Sequence, residues 1–301
     1  MSRYGLLTSI VATGLLLAGC RLDFVDLGGS SSDGNGDNGG NGDGSASISV
    51  LAAQASGYNT FVLTLDGVEF RRSGASNPRF DFAEDDFSIF AAADSGGVLV
   101  NTGFDLPSGS YRGFVLRAFS GFEPPGSEID GLPLDIEITT FESSYSVRTA
   151  GGNDFVLVIN TASAVLPVEE NDQVVAYDFR PAGYMVRLDQ AGYLDGNVAA
   201  CPGVDPDDRA VYVFRDDASP RDIRGPANSE NDPVVVVSTN ADGDYLTPPL
   251  RSGSYQVSFT CNALSDDPEA ADNAIRDELR DNLQSVTIRR GGPGQATRLD
   301  F

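Results

Sequence analysis

The chain is 301 residues long and sets 44 Asp and Glu against 20 basic residues, all of them Arg, for a formal net charge of −24. With no His, Lys or Trp, imidazole-activated nucleophiles, imidazole metal ligands, Schiff-base lysines and P-loop lysines are excluded. So negative a chain repels nucleic-acid phosphates and anionic lipid head groups, and no Arg cluster is dense enough to offset this, which removes nucleic acid as a partner. The acidity and the Arg-for-Lys bias fit either a salt-adapted host or Arg-rich codon usage, and neither bears on activity.

Arg3 gives the chain a positive start, and Leu6 to Ala18 form an apolar run too short to span a bilayer as a helix. The run ends in Leu17-Ala18-Gly19-Cys20, which resembles the lipobox of bacterial lipoproteins. The resemblance implies that residues 1–19 are a signal peptide, that the Cys20 thiol is diacylated and that its new amine is acylated, making the membrane a partner through lipid. Arg21 follows the Cys, in place of the Asp that resembles an inner-membrane retention signal, so the expected location is the cell envelope, anchored at the outer membrane. Residues 20–47 read as a flexible tether, because Gly28 to Ser47 are nearly all Gly, Ser, Asn and Asp and cannot bury apolar area to offset backbone entropy. Asp33 to Asp37 mimic the first half of a calcium loop, but Asn38 stands where the loop needs Gly and no bidentate Glu follows, so the linker reading is kept.

Beyond the tether, short apolar or alternating runs between Gly, Pro, Asn and Asp turns predict an all-β fold: two β-sandwich domains in tandem, residues 48–190 and 191–301, with one short helix in the second. Strands of the first domain are expected at Phe61 to Leu65, Phe87 to Ala91, Tyr111 to Phe119, Ile136 to Thr140 and Phe155 to Ile159, closing near Leu188. In the second they are expected at Gly192 to Val198, Ala210 to Phe214, Val234 to Ser238, around Tyr245, at Ser254 to Cys261 and at Val286 to Arg289. The helix is predicted to take Asp266 or Asp267 as cap and Pro268 in its first turn, with Ile275, Leu279 and Leu283 as an apolar stripe against the core. Leu106-Pro107-Ser108-Gly109-Ser110-Tyr111 is echoed by Leu250-Arg251-Ser252-Gly253-Ser254-Tyr255, in each case a Gly turn ahead of a strand that opens on Tyr.

Asn240-Ala241-Asp242-Gly243-Asp244-Tyr245, followed by Leu250 to Tyr255 and joined to Gly196-Asn197-Val198, resembles carboxypeptidase-regulatory-like, transthyretin-type β-sandwich modules. Such modules are structural or binding units, which implies a non-catalytic second domain. Thr64 to Phe70, Leu106 to Arg112 and Phe179-Arg180-Pro181 resemble the domain of unknown function 4382 of bacterial lipoproteins, a family with no activity to carry over. Ala53-Gln54-Ala55-Ser56 replaces that family's Thr-Asp-Ala-Pro-like segment.

With Cys20 lipidated, Cys201 and Cys261 remain, and an exported pair is most simply one disulfide, worth roughly 4 kcal/mol to the second domain alone. Acidic clusters at Glu84-Asp85-Asp86, Asp205-Asp207-Asp208, Asp216-Asp217 and Asp266-Asp267 could supply a carboxylate pair for glycoside hydrolysis or an oxygen cage for calcium. Solvated surface is the simpler account, with Asp205, Asp207, Asp242 and Asp244 kept as calcium candidates. The expectation is a non-enzymatic envelope lipoprotein with a binding or structural role, no catalytic residues and no cofactor. Its rivals are an adhesin or carbohydrate-binding surface protein, partnered by a surface glycan or envelope protein, and a carboxylate-only glycosidase.

Overall fold

A computed structural model describes residues 43–53, 61–88, 98–118, 127–136, 139–147, 153–171, 173–180, 182–223 and 231–301. Apart from two short α-helices and a few single 3-10 turns, the regular structure of these residues is β-strand, so the fold is all-β.

The first half runs β1 Asp43–Ala53, β2 Phe61–Arg72, β3 Arg79–Ser88, β4 Val98–Pro107, β5 Gly109–Ala118, β6 Glu128–Ile129, β7 Leu132–Ile136, β8 Thr139–Val147 and β9 Asp154–Asn160. A one-turn helix, α1 Thr161–Ala164, leads to β10 Val165–Glu170, β11 Gln173–Phe179 and β12 Gly183–Arg187. One sheet has the order β12-β9-β1-β4, and the facing sheet β10-β11-β7-β6-β2-β5-β8, with β3 paired to β2. Between them lies a core that includes Ile48, Val50, Phe61, Leu63, Phe70, Leu106, Tyr111, Phe155, Leu157 and Ile159.

The second half runs β13 Ala191–Gly192, β14 Leu194–Asn197, β15 Ala210–Arg215, β16 Val235–Ser238, β17 Asp244–Leu246, β18 Leu250–Arg251 and β19 Gly253–Thr260. The helix α2 Asn273–Asp281, β20 Gln284–Ile288 and β21 Thr297–Arg298 complete it. A four-stranded sheet, β16-β15-β19-β20, is accompanied by a three-stranded one, β17-β14-β21, and by the β13-β18 pair. Gly196 lets β21 come close to β14: a Cβ there would stand 1.7 Å from the Leu299 carbonyl oxygen.

Side-chain alternation explains how the halves meet, since successive residues of a strand point to opposite faces. On β1, Ile48, Val50 and Ala52 enter the first core, whereas Leu51 and Ala53 enter a second cluster; on β9, Phe155, Leu157 and Ile159 do the former, Val156 and Val158 the latter. That second cluster also holds Leu194, Val211, Val213, Val235, Val237, Leu250, Val257 and Phe259 of the second half. The strands β9 and β1 at the centre of the sheet β12-β9-β1-β4 therefore bury apolar residues on both faces, and each fully buried Val or Leu contributes about 1.5–3 kcal/mol.

Three expectations are corrected and one element is added. The tether does not extend to Ser47: β1 begins at Asp43, its backbone paired to β4 from Asp43↔Pro107 onward, because alternation already starts at Ala46, which is buried. A second helix, α1, follows β9, its Thr161 hydroxyl donating to the Ala53 carbonyl at 2.5 Å. The C-terminal helix is capped by neither Asp266 nor Asp267 but by Asp272, whose carboxylate accepts from the amides of Ala274 and Ile275, leaving Pro268 outside it. Ile275 and Leu279 are buried as the stripe predicts, in a third cluster with Ala210, Tyr212, Phe214 and Val236, while Leu283 lies past the helix end, partly buried against that cluster. Finally, the cores are not wholly separate: the first is drawn from the first half alone, but the second cluster draws on both halves.

Candidate functional site

Cys20 lies outside the described residues, as do the side chains of Glu84, Asp85, Asp86 and Asp207. Cys201 and Cys261 are bonded, with 5.7 Å between their Cα atoms. The bridge ties the loop after β14 to the end of β19, where Glu278 of α2 accepts from the Cys261 amide at 3.0 Å and from the Thr260 hydroxyl at 2.5 Å. Strand end, disulfide and helix are thus held as one unit.

Asp242 and Asp244 sit in the turn between β16 and β17, which is built by Asn240. Its side-chain carbonyl accepts from the amides of Asp242 at 3.0 Å and Asp244 at 2.8 Å, and Gly243 takes φ +86° to let the chain reverse. Several of the oxygens that could line a calcium loop already face N–H donors. Asn197 Nδ2 donates to the Asp242 carbonyl at 2.9 Å and to Asp244 Oδ1 at 2.8 Å, and Arg209 Nη2 donates to the Ala241 carbonyl at 3.1 Å. A guanidinium directed at these carbonyls opposes a divalent cation in the same place. Asp205 is exposed just before the turn Pro206–Asp208, and Asp208 Oδ1 accepts from the Leu264 amide at 3.2 Å. Among the described residues, no three Cys, Asp or Glu gather as a metal-ligand set.

Two polar groups, Asn160 and Asp266, are buried where sequence periodicity carries no sign of burial. Asn160, at the end of β9, donates through Nδ2 to the Ser163 hydroxyl at 3.0 Å and accepts through Oδ1 from the Val236 amide at 3.3 Å. Val236 belongs to β16, an edge strand of the second half, so Asn160 joins the halves by a hydrogen bond as well as by apolar contact. The available signal was an Asn closing an otherwise wholly apolar strand, Phe155 to Ile159.

The other is Asp266, in the segment between the disulfide and α2. Its Oδ2 accepts from the Tyr212 hydroxyl at 2.7 Å and from the Ile223 amide at 3.2 Å, while its Oδ1 is buried with no hydrogen-bond partner. Burial pushes its carboxyl up to about 6 from 3.8; the Tyr212 and Ile223 hydrogen bonds pull the other way, and the charges of Asp222 and Asp272 add to the rise. Asp222, fully buried, accepts from the Asp272 amide at 2.5 Å. Burial, then the Asp266 charge, raises the Tyr212 hydroxyl well above its usual value, so it stays a donor. These carboxylates bind chain segments to each other: Asp266 and Asp222 are turned inward, whereas Asp216, Asp217 and Asp267 are exposed.

No helix among the described residues is long and apolar enough to cross a membrane. No family model matches the chain, and no curated protein matches it. Among solved structures it is similar to the Bacillus anthracis TIE protein, at 13% identity over 86% of this chain and 33% of that one, with a TM-score of 0.22. It is also similar to the minor pilin of Streptococcus agalactiae, at 10% identity over 85% of this chain and 94% of that one, TM-score 0.21. For the streptococcal ancillary pilin the figures are 13%, 85% and 61%, TM-score 0.20. The chain spans about a third of the length of the first of these, and at such TM-scores the likenesses decide neither fold nor function.

Proposed function

We propose that the protein is an envelope-anchored lipoprotein, held by lipid on Cys20, whose paired β-sandwiches serve a non-enzymatic binding or structural role. The observation that carries this reading is Leu17-Ala18-Gly19-Cys20 at the end of an apolar run, followed by a Gly, Asn, Asp and Ser stretch that gives way to strand at Asp43. A disulfide suits an oxidising compartment outside the cytoplasm. The buried carboxylates are engaged in holding loops together, which favours architecture over hydrolysis. Arg21 favours the outer membrane, and the resemblances at Thr64 to Phe70 and Asn240 to Tyr255 favour a domain-of-unknown-function 4382-like unit followed by a carboxypeptidase-regulatory-like one.

Fractionation tests the anchor. The wild-type chain should sediment with outer membrane and incorporate labelled palmitate, and Cys20→Ser should do neither. Sedimentation of the unlabelled variant with membrane would refute the assignment.

A further inference from the structure

We propose that Asp266, set against Asp222, Asp272 and the Tyr212 hydroxyl, is a proton-operated clasp that fastens the segment between the disulfide and α2 to the loop after β15. The clasp has three attachments: Tyr212 on the central strand β15, the Ile223 amide in the loop, and the Asp272 amide, which closes onto Asp222 from the start of α2. Asp266 is 9% exposed, and its partnerless Oδ1 has nothing to stabilise a negative charge.

Among the described residues, no cation is paired with Asp266 itself. Arg221 pairs with Asp232, Arg280 of α2 donates to the Pro220 carbonyl at 3.3 Å, and Arg276 pairs with Asp277 at 2.9 Å. The acidic groups that act on the clasp are Asp222 and Asp272 on Asp266, and Glu278 of α2 on Tyr212. Protonated, Asp266 keeps its contacts without a buried charge; ionised, it is pressed by two neighbouring carboxylates in a buried site.

The sign follows from proton uptake. A carboxyl at about 6 when clasped and 3.8 when released binds more protons closed than open between those values, so closure weakens as pH rises through that window and is constant above it. Going from pH 5 to 7.5, the opening equilibrium should rise about tenfold.

The experiment is amide hydrogen exchange at Ile223 and Asp272 in the full chain, corrected for intrinsic rates, at pH 5 and 7.5. The expected result is about tenfold more opening at pH 7.5 in the wild type, and in Asp266→Asn, which cannot ionise, no change between the two. An unchanged wild-type opening, or the same rise in the Asn variant, overturns the clasp. Should the Asn variant not fold, the Asp266 carboxyl carbon can be titrated by NMR in the wild type. A midpoint near 6 that moves higher in Tyr212→Phe supports the proposal, and a midpoint at the ordinary carboxylate value overturns it.

Discussion

Leu157 and Val158 are adjacent on β9, are both wholly shielded from solvent, and face opposite cores: Leu157 the interior of the first sandwich, Val158 the cluster shared with the second. The two positions should therefore respond differently to a charge. Val158→Asp places it between the halves, on a face that the first sandwich can expose to water if the second moves away. Calorimetry should then resolve two transitions in place of one, with a loss of about 3 kcal/mol or more in coupling. Leu157→Ala should lower the melting of the first half directly, by about 2–5 kcal/mol. A single unshifted transition in Val158→Asp would contradict the shared core.

The disulfide closes a sequence separation of 60, and loop entropy makes it worth about 4 kcal/mol. Read from sequence, that stabilisation belonged to the second domain alone. The shared cluster changes the expectation, since Cys201 belongs to the same cluster as Leu51, Val156 and Val158 of the first half. Reductant should lower the melting temperature of the whole molecule by about 10 °C. A melt in which the first half keeps its original midpoint while the second drops would show that the halves are independent.

Several features were legible because they rest on local rules. Leu106 to Tyr111 and Leu250 to Tyr255 repeat in structure as in sequence: Leu106 and Leu250 are fully buried, and Gly109 and Gly253 take φ +151° and +157°. Tyr111 and Tyr255 each donate to the carbonyl four residues back, at 2.6 Å to Pro107 and 2.7 Å to Arg251. The Cys201–Cys261 pairing needed only a count and a compartment. What stayed hidden depends on non-local placement. Asp266 and Asp272 are both acids ahead of an apolar stripe, and only the fold directs one to Tyr212 and the other to the helix amides. Asn160 meets Val236 across 76 residues, and no periodicity registers that contact.

The start of β1 gives a further test. Gly44 and Ala46 lie in register with Leu106 and Phe104, the Ser47 amide donates to the Asn153 carbonyl at 3.1 Å, and the Ser47 hydroxyl reaches Asp154 Oδ1 at 2.5 Å. A chain beginning at Asp43 should melt as the mature protein does, whereas one beginning at Ile48 loses the end of β1 and should be destabilised by about 1–3 kcal/mol. Equal denaturant midpoints for the two would mean that residues 43–47 belong energetically to the tether.

The turn at Asn240 separates a structural role from a metal-binding one. Asn240 Oδ1 satisfies the amides of Asp242 and Asp244, while Asn197 and Arg209 donate to the turn's own oxygens, so its geometry is maintained by protein donors. Asn240→Ala should cost about 1–2 kcal/mol, because two amides lose their acceptor at a position where the side chain, not the strand ladder, makes the bend. Asp244→Asn retains an oxygen for Asn197 and should cost less than Asn240→Ala. Millimolar calcium should leave the melting temperature of the wild type unchanged, since binding would require the Arg209 guanidinium to leave the carbonyl it serves. A rise in melting temperature with calcium that is lost in Asp244→Asn would show instead that the turn opens to take the ion, and that Asp242 and Asp244 are ligands.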